Sequence, residues 1–373
     1  MRFLTLGLSL AIFTGHAAAQ EQTAPKTLEF EGREWRVAAK EAEIVNHLGR
    51  EAVTLMRGRL WDDDARFGDG VISFDVAYEE EQLFAGAGWR AESPDHFEMM
   101  YVRGHLNNKP DALQYTPVEN GLSAWQIFGD ENSIAPVSQK FDNWNNVKIV
   151  IIGDRADIYF NSDTPSLHVP DLKTDLEKGG VSLGVSGKGS IFLSNIEIRP
   201  LRKGEKIIGE PKKTPAPPDG MIANWSISSP FDESSVANAL TIPERLKSDL
   251  AWNGLRVETN GVANIAKLRK IGDKADTVFA RLNIKSDKAQ MKEMRFGYSD
   301  RVRLYLNGKR VYYGDAGWRV RDYRFLGTVG FFDSAGLDLK KGDNELMVAI
   351  SETFGGWAWA GAIQDQTGIT LEN

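Results

Sequence analysis

Apolar and polar residues alternate with period two along most of the chain. In Val71–Tyr78, Ile72, Phe74, Val76 and Tyr78 share one face while Ser73 and Asp75 point the other way. Successive strand side chains leave on opposite faces, so this alternation predicts a half-buried strand. Comparable runs are Leu83–Arg90, Phe97–Arg103, Ala112–Thr116, Ala124–Phe128, Val147–Ile152, Ala156–Phe160, Val181–Val185 and Ile191–Ile198. Turn residues separate them, among them Asp69-Gly70, Ser93-Pro94-Asp95, Asn107-Asn108, Asn120-Gly121 and Gly153-Asp154. Many short strands broken by turns, with hardly any helical periodicity, predict an antiparallel sandwich.

The pattern resumes after a break. Lys203–Gly220, KGEKIIGEPKKTPAPPDG, is rich in proline and lysine and reads as a semi-extended linker. Beyond it Thr277–Ile284 alternates, and Arg301–Tyr313 reads as a hairpin about Asn307-Gly308, since a type I′ turn needs positive φ at both central positions. Leu337–Leu346 reads as strand, tight turn, strand, and one helix is expected near Glu233–Leu240. The expectation is an all-β protein of two tandem β-sandwich (jelly-roll) domains, 27–202 and 221–373, joined by 203–220. The first nineteen residues differ: Arg2, an apolar stretch from Phe3 to Phe13, and Ala17-Ala18-Ala19 before Gln20 have the form of a signal peptide cleaved near Ala19-Gln20. The stretch is shorter than the roughly 20 apolar residues of a membrane span, so a periplasmic or extracellular protein with no transmembrane segment after cleavage is expected.

Composition narrows the chemistry. The chain has 373 residues, 45 Lys+Arg against 52 Asp+Glu, and a net charge of −7. Phosphate backbones are held by cationic surfaces, so a nucleic-acid partner is not expected. There is no cysteine, which removes disulfides, thiolate metal sites and a Cys nucleophile. No metal-binding motif is present, although loop carboxylates and carbonyls could hold a structural calcium invisible to motif reading. No other cofactor is expected.

Two resemblances add to this. GREAVTLMRGRLWDDDARFGDGVISFDVAY, FAGAGWRAESPDHFEMMYVRG and PDALQYTPVENGLSAWQIF resemble the concanavalin A-like lectin/glucanase superfamily, LamG-like modules included. More narrowly they are similar to exported bacterial proteins grouped with family 16 glycoside hydrolases or 3-keto-disaccharide hydrolases. The resemblance spans about Leu28 to Pro200. It departs in one respect: the E-x-D-x-x-E strand of laminarinases is missing, and Asp62-Asp63-Asp64 and Glu79-Glu80-Glu81 cannot replace it because consecutive carboxylates alternate faces. The second segment, through VRLYLNGKRVYYG, LDLKKGDNELMVAIS and FGGWAWAGAIQD, resembles galactose-binding-domain-like jelly rolls.

The resemblance implies a ligand surface on the concave sheet of the first domain. A turn centred near Pro94 would set Arg90 opposite Glu98 and Gly88 opposite Met100. Tyr101, Arg103, His105, Asp111, Gln114, Tyr115, Trp125 and Gln126 would join them, combining aromatic platforms with hydroxyl-binding polar groups as saccharide sites do. Each has a plainer reading: Arg90–Glu98 as a cross-strand ion pair, the aromatics as core, the histidines as solvated turn residues. For glycoside hydrolysis Glu98 and Asp111 are the candidate carboxylate pair; for elimination–addition on a keto sugar, His105 or Glu98 is the candidate base. Trp357 and Trp359, two apart on one face, are either a stacking platform or core. Trp252, Asn264, Tyr298, Asp300 and Trp318 are further candidates. The expected function is recognition of a carbohydrate or polysaccharide, with or without hydrolysis or modification. The alternative is a non-catalytic glycan-binding or surface-assembly scaffold. Oligomeric state is not legible in the sequence.

Overall fold

The computed structural model describes residues 26–317, 320 and 329–372. The expected leader and cleavage site, and Trp318, lie outside the described residues. The chain is nearly all strand, and it divides into two compact units: 1–121 with 129–213, and 122–128 with 214–373.

In the first unit the strands are β1 (Thr27–Phe30), β2 (Arg33–His47), β3 (Arg50–Phe67), β4 (Gly70–Ala77), β5 (Leu83–Ser93), β6 (His96–Arg103) and β7 (Leu113–Glu119). After the two-residue β8 (Leu122–Ser123), which falls in the second unit, come β9 (Ile134–Ala135), β10 (Trp144–Ile152), β11 (Arg155–Phe160), β12 (Leu167–Val169), β13 (Gly179–Gly187) and β14 (Ile191–Arg199). They pair antiparallel in the order β12-β11-β10-β4-β14-β3-β13-β5-β6-β7, with β2 also on β3. The long β3 belongs to both halves, pairing β14 through Val53–Leu55 and β13 from Gly58 onwards. The sheet thereby curls over one core, where Phe74, Val76, Val147 and Ile149 meet Ala87, Trp89, Met100 and Leu183. Each large aliphatic or phenyl side chain buried there contributes about 1.5–3 kcal/mol.

The inward phase of β3 reverses at its middle. Val53 and Leu55 face the core, and so does Leu60, an even position. Between them Arg57 and Gly58 have φ of 44° and 150°. The reversal turns Arg59 and Trp61 out of the core and onto the opposite face, because a shift of one residue exchanges the faces of a strand.

The second unit has a seven-stranded and a four-stranded sheet among the described residues. Its strands are β15 (Asn224–Ser228), β16 (Trp252–Arg256), β17 (Ala263–Asn264), β18 (Thr277–Ser286), β19 (Gln290–Ser299), β20 (Arg301–Leu306), β21 (Lys309–Asp315), β22 (Asp333–Leu339), β23 (Gly342–Ser351), β24 (Ala358–Ala362) and β25 (Ile369–Glu372). The sheets run β16-β15-β18-β23-β20-β21, with β25 on β18, and β17-β24-β19-β22. Asn307 and Gly308 take φ of 51° and 79°, as a type I′ hairpin requires. The expected helix at 233–240 is reduced to a single 3-10 turn, Glu233–Ser235, capped by Asp232, whose carboxylate accepts from the Ser234 amide. No helix among the described residues is long and apolar enough to cross a membrane.

Candidate functional site

The face of the first unit's sheet that turns away from the core is built in rows across five strands. One row runs Arg59–Gly184–Gly86–Tyr101–Gln114, and the next Trp61–Ser182–Gly88–Met99–Thr116. A third runs Ser186–Phe84–Arg103. Ser182, Gly184, Gly86 and Gly88 therefore line the middle of β13 and β5, while larger side chains rise on β3 and β6 to either side. The result is a furrow with a floor of small residues and walls of Arg59 and Trp61 on one side, Met99, Tyr101 and Arg103 on the other.

The furrow is not an open hollow. Trp61, Phe97, Met99, Tyr101 and Val118 form their own buried cluster, flanked by half-buried Phe84. Arg59 lies over Gly184, where a Cβ would stand 2.5 Å from the arginine Cγ. Its guanidinium reaches across to donate to Ser182 Oγ (3.0 Å) and to Met99 Sδ (2.6 Å), 5.0 Å from the Phe97 ring centre. Enclosure by apolar groups, with no carboxylate to oppose it, lowers this guanidinium to about 10. It still carries its charge at neutral pH.

At the far wall Tyr101 donates to Gln114 Oε1 (2.9 Å), and Arg103 donates to the same oxygen, to the Tyr101 hydroxyl (3.1 Å) and to the Asp111 carbonyl. The Asp111 carboxylate stands 3.8 Å from Arg103, its side chain 44% exposed. His105 lies edge-on to Phe84, ring centres 5.6 Å apart, and its Nδ1 is buried without a partner. Burial, and then the positive charge of Arg103, push the imidazole below its ordinary value against the pull of Asp111, so it is neutral at pH 7. Tyr101, Arg103, Gln114, Asp111 and His105 are thus brought together, five of the positions the sequence nominated.

The rest are elsewhere. The register pairs Glu98 with Trp89 and Gly88 with Met99, and it shifts between Trp89 and Ser93. Arg90 and Glu98 are therefore not opposite one another: Arg90 sits in the irregularity with φ of 52°. Its guanidinium is spent on the carbonyls of Gly68, Leu176 and Gly153 and the carboxylate of Asp69. Glu98 has no exposed surface and shares the inward parity of Met100 and Val102 on β6. It accepts from Tyr115 Oη (2.7 Å) and from the amide and hydroxyl of Thr174 (2.9 and 2.7 Å). Burial raises its carboxyl above the ordinary range despite these bonds. This corrects the expected placement of Glu98 and Tyr115: they fasten the 173–174 loop to the core side of the sheet, facing away from the furrow.

Trp125 and Gln126 also leave the expected surface. Ala124–Phe128 is a turn, with Ile127 and Phe128 amides bonded to the Ala124 carbonyl, and it groups with the second unit. Gln126 Oε1 there accepts from the Gly356 amide (2.6 Å), and Ala124, Ile127 and Phe128 pack with Val262, Ala358 and Ala360. Apolar packing overrides the strand-like alternation. Trp357 and Trp359 have no exposed surface and are core, Trp359 stacked on Phe296 at 5.6 Å, which corrects their candidacy as a platform. Asn264, Tyr298 and Asp300 are buried, and Trp252 lies under Arg281. No group of three or more His, Asp or Glu side chains among the described residues is placed to hold a metal ion.

Sequence reasoning missed Arg59, Trp61, Phe84 and the floor. The signal was present in VSLGVSG, where Ser182, Gly184 and Ser186 occupy one face and Val181, Leu183 and Val185 the other, and in the glycines at 86 and 88, which leave room for side chains from neighbouring strands.

Fold and site together define an all-β protein of β-sandwich units, one of them with a furrowed outer sheet face. No protein-family model matches the chain, and no curated protein does. Solved structures with some likeness include carbohydrate-binding modules and glycosyl hydrolases. One is the carbohydrate-binding module CBM66 from Bacillus subtilis, 13% identical, covering 42% of this chain and 90% of its own, with a TM-score of 0.31. Another is the Bacillus licheniformis beta-glucanase, 8% identical, covering 43% and 86%, TM-score 0.29. A family 35 carbohydrate-binding module from an environmental isolate is 15% identical, covering 28% and 76%, TM-score 0.20.

Proposed function

We propose that the chain is an exported saccharide-binding protein whose furrow on the first unit receives the ligand. One observation carries this reading: in the row Arg59–Gly184–Gly86–Tyr101–Gln114, Gly184 gives room to the Arg59 side chain, whose half-buried guanidinium lies across the strip with no carboxylate partner among the described residues. A sugar presents an apolar C–H face and a rim of hydroxyls. Half-buried Phe84, backed by Trp61 and Tyr101, suits the first; half-buried Arg59 and the exposed Asp111 carboxylate suit the second, with buried Arg103 and Gln114 holding that wall in place.

Binding is favoured over hydrolysis. Glycosidic cleavage by two carboxylates needs both in the site, flanking the scissile bond about 5–9.5 Å apart. The furrow's rows hold no carboxylate, Asp111 stands at the rim, and Glu98 points into the core.

The test is a glycan array probed with the wild-type chain and with Gly184→Ala. The added methyl would stand 2.5 Å from the Arg59 Cγ and 3.0 Å from the Gly58 carbonyl oxygen, so it displaces the Arg59 side chain and leaves Tyr101, Arg103 and Gln114 untouched. Wild type is expected to retain one glycan class and the variant to retain it at least about tenfold less well, for a loss near 1.4 kcal/mol, with a similar thermal midpoint. Equal retention by both would remove the furrow from the account.

A further inference from the structure

The furrow holds a cation that no carboxylate among the described residues meets. Arg59 is half-buried, it donates to a hydroxyl and a thioether, and apolar rings stand around it. Nearby charges do not fill the gap. Arg36 at the next strand is paired with Asp63 (2.5 Å), and Arg103 takes the Asp111 carbonyl and stands 3.8 Å from its carboxylate. The rows themselves contribute two guanidinium groups and no carboxylate, in a chain whose net charge is −7. Concentrating positive charge on one strip of an acidic protein focuses the field there and attracts anions. Holding a desolvated guanidinium without a counter-charge costs free energy that a bound anion would restore.

Resting on the saccharide-binding reading above, we infer that the furrow selects acidic saccharides, and that Arg59 receives the carboxylate of a uronic acid. The planar guanidinium has five N–H groups and uses two of them, so a fork remains for a carboxylate. The furrow geometry places that fork above Gly184, beside the apolar surface on which the pyranose ring would lie. The aromatic wall holds the ring and Arg59 reads its C6 substituent.

The inference is tested by isothermal titration of the full chain with α-1,4-linked trigalacturonate and with α-1,4-galactotriose, which differ only at C6. Arg59→Gln and Arg59→Lys serve as variants, each checked by circular dichroism and thermal midpoint. Wild type is expected to bind trigalacturonate at least tenfold more tightly than galactotriose, with the gap closing as salt rises. Arg59→Gln should bring the ratio of trigalacturonate to galactotriose affinity close to one, and Arg59→Lys should restore part of the gap because a charge without the fork remains. Equal affinities in wild type would overturn the anionic preference and leave saccharide binding standing. A preference that survives in Arg59→Gln would overturn the role of Arg59. If neither sugar binds while the array retains no other glycan, the saccharide reading itself fails and this inference with it.

Discussion

Two carboxylates of the second unit, Asp300 and Glu352, stand close together with 3% and 1% of their surface exposed. Glu352 Oε1 accepts from the amides of Thr353 and Phe354, while its Oε2 is buried without a partner. Burial, and then the neighbouring Asp300 charge, raise Glu352 well above its ordinary 4.5, and burial raises Asp300 too. The folded chain thus favours the protonated acid more than the unfolded chain does. The stability this group contributes is complete below the ordinary carboxylate range and is lost as pH rises through the folded value. Glu352→Gln, a neutral isostere, should lie within about 1 kcal/mol of wild type near pH 4.5. It should then gain on wild type as pH climbs to 8, read as the difference between their urea midpoints. A difference that stays constant across that window would contradict the assignment. Glu98 is also raised by burial, but its oxygens are shared among Tyr115 and Thr174, so it acts as a clamp for a loop.

At the scale of the strand, one glycine decides what the furrow contains. Gly58 sits where β3 changes its inward phase, and a Cβ there would collide with the Ala38 carbonyl and the Ala39 backbone on β2. The positive φ adds strain for any other residue. Gly58→Ala should therefore cost about 2 kcal/mol or more in chemical denaturation, and it should weaken saccharide binding although residue 58 touches no ligand. A variant as stable as wild type would show that β2 and β3 relax freely there. This junction also shows what alternation could and could not reveal. Strands such as Val71–Tyr78 were legible because a buried and an exposed face differ in polarity throughout. The 33–67 hairpin was not, because its phase changes midway and both faces carry mixed residues. Glu98 misled for a related reason: the register shift between Trp89 and Ser93 moved it from the expected partner, and it lies on the inward side of β6 with Met100 and Val102. Within the furrow, Tyr101, Arg103 and Gln114 were legible as polar residues at outward strand positions. Arg59 was not, since it comes from a strand forty residues earlier and meets the others only through β13 and β5.

For the whole chain, the segment read as a linker is partly structure. Ile208 and Gly209 donate their amides to Asp157 Oδ2 (2.7 and 3.0 Å), and His168 meets Asp157 Oδ1 at 2.7 Å, so the chain stays fastened to the first unit well past β14. Composition marked the proline-rich stretch correctly as irregular, but a buried aspartate elsewhere supplies the partners that hold it. Both units are β-sandwich architecture, and the second closes around Trp225, Trp357 and Trp359, leaving those indoles to stability. Ligand chemistry therefore concentrates, in this account, on the outer face of the first unit's sheet. Amide and indole chemical shifts of the full isotope-labelled chain, followed during titration with trigalacturonate and galactotriose, test that most directly. The account predicts that Gly86, Gly184, Ser182 and the Trp61 indole move together and saturate, while Glu98, Trp357 and Trp359 stay still. Saturable shifts confined to the second unit, or none in the furrow at millimolar sugar, would contradict it.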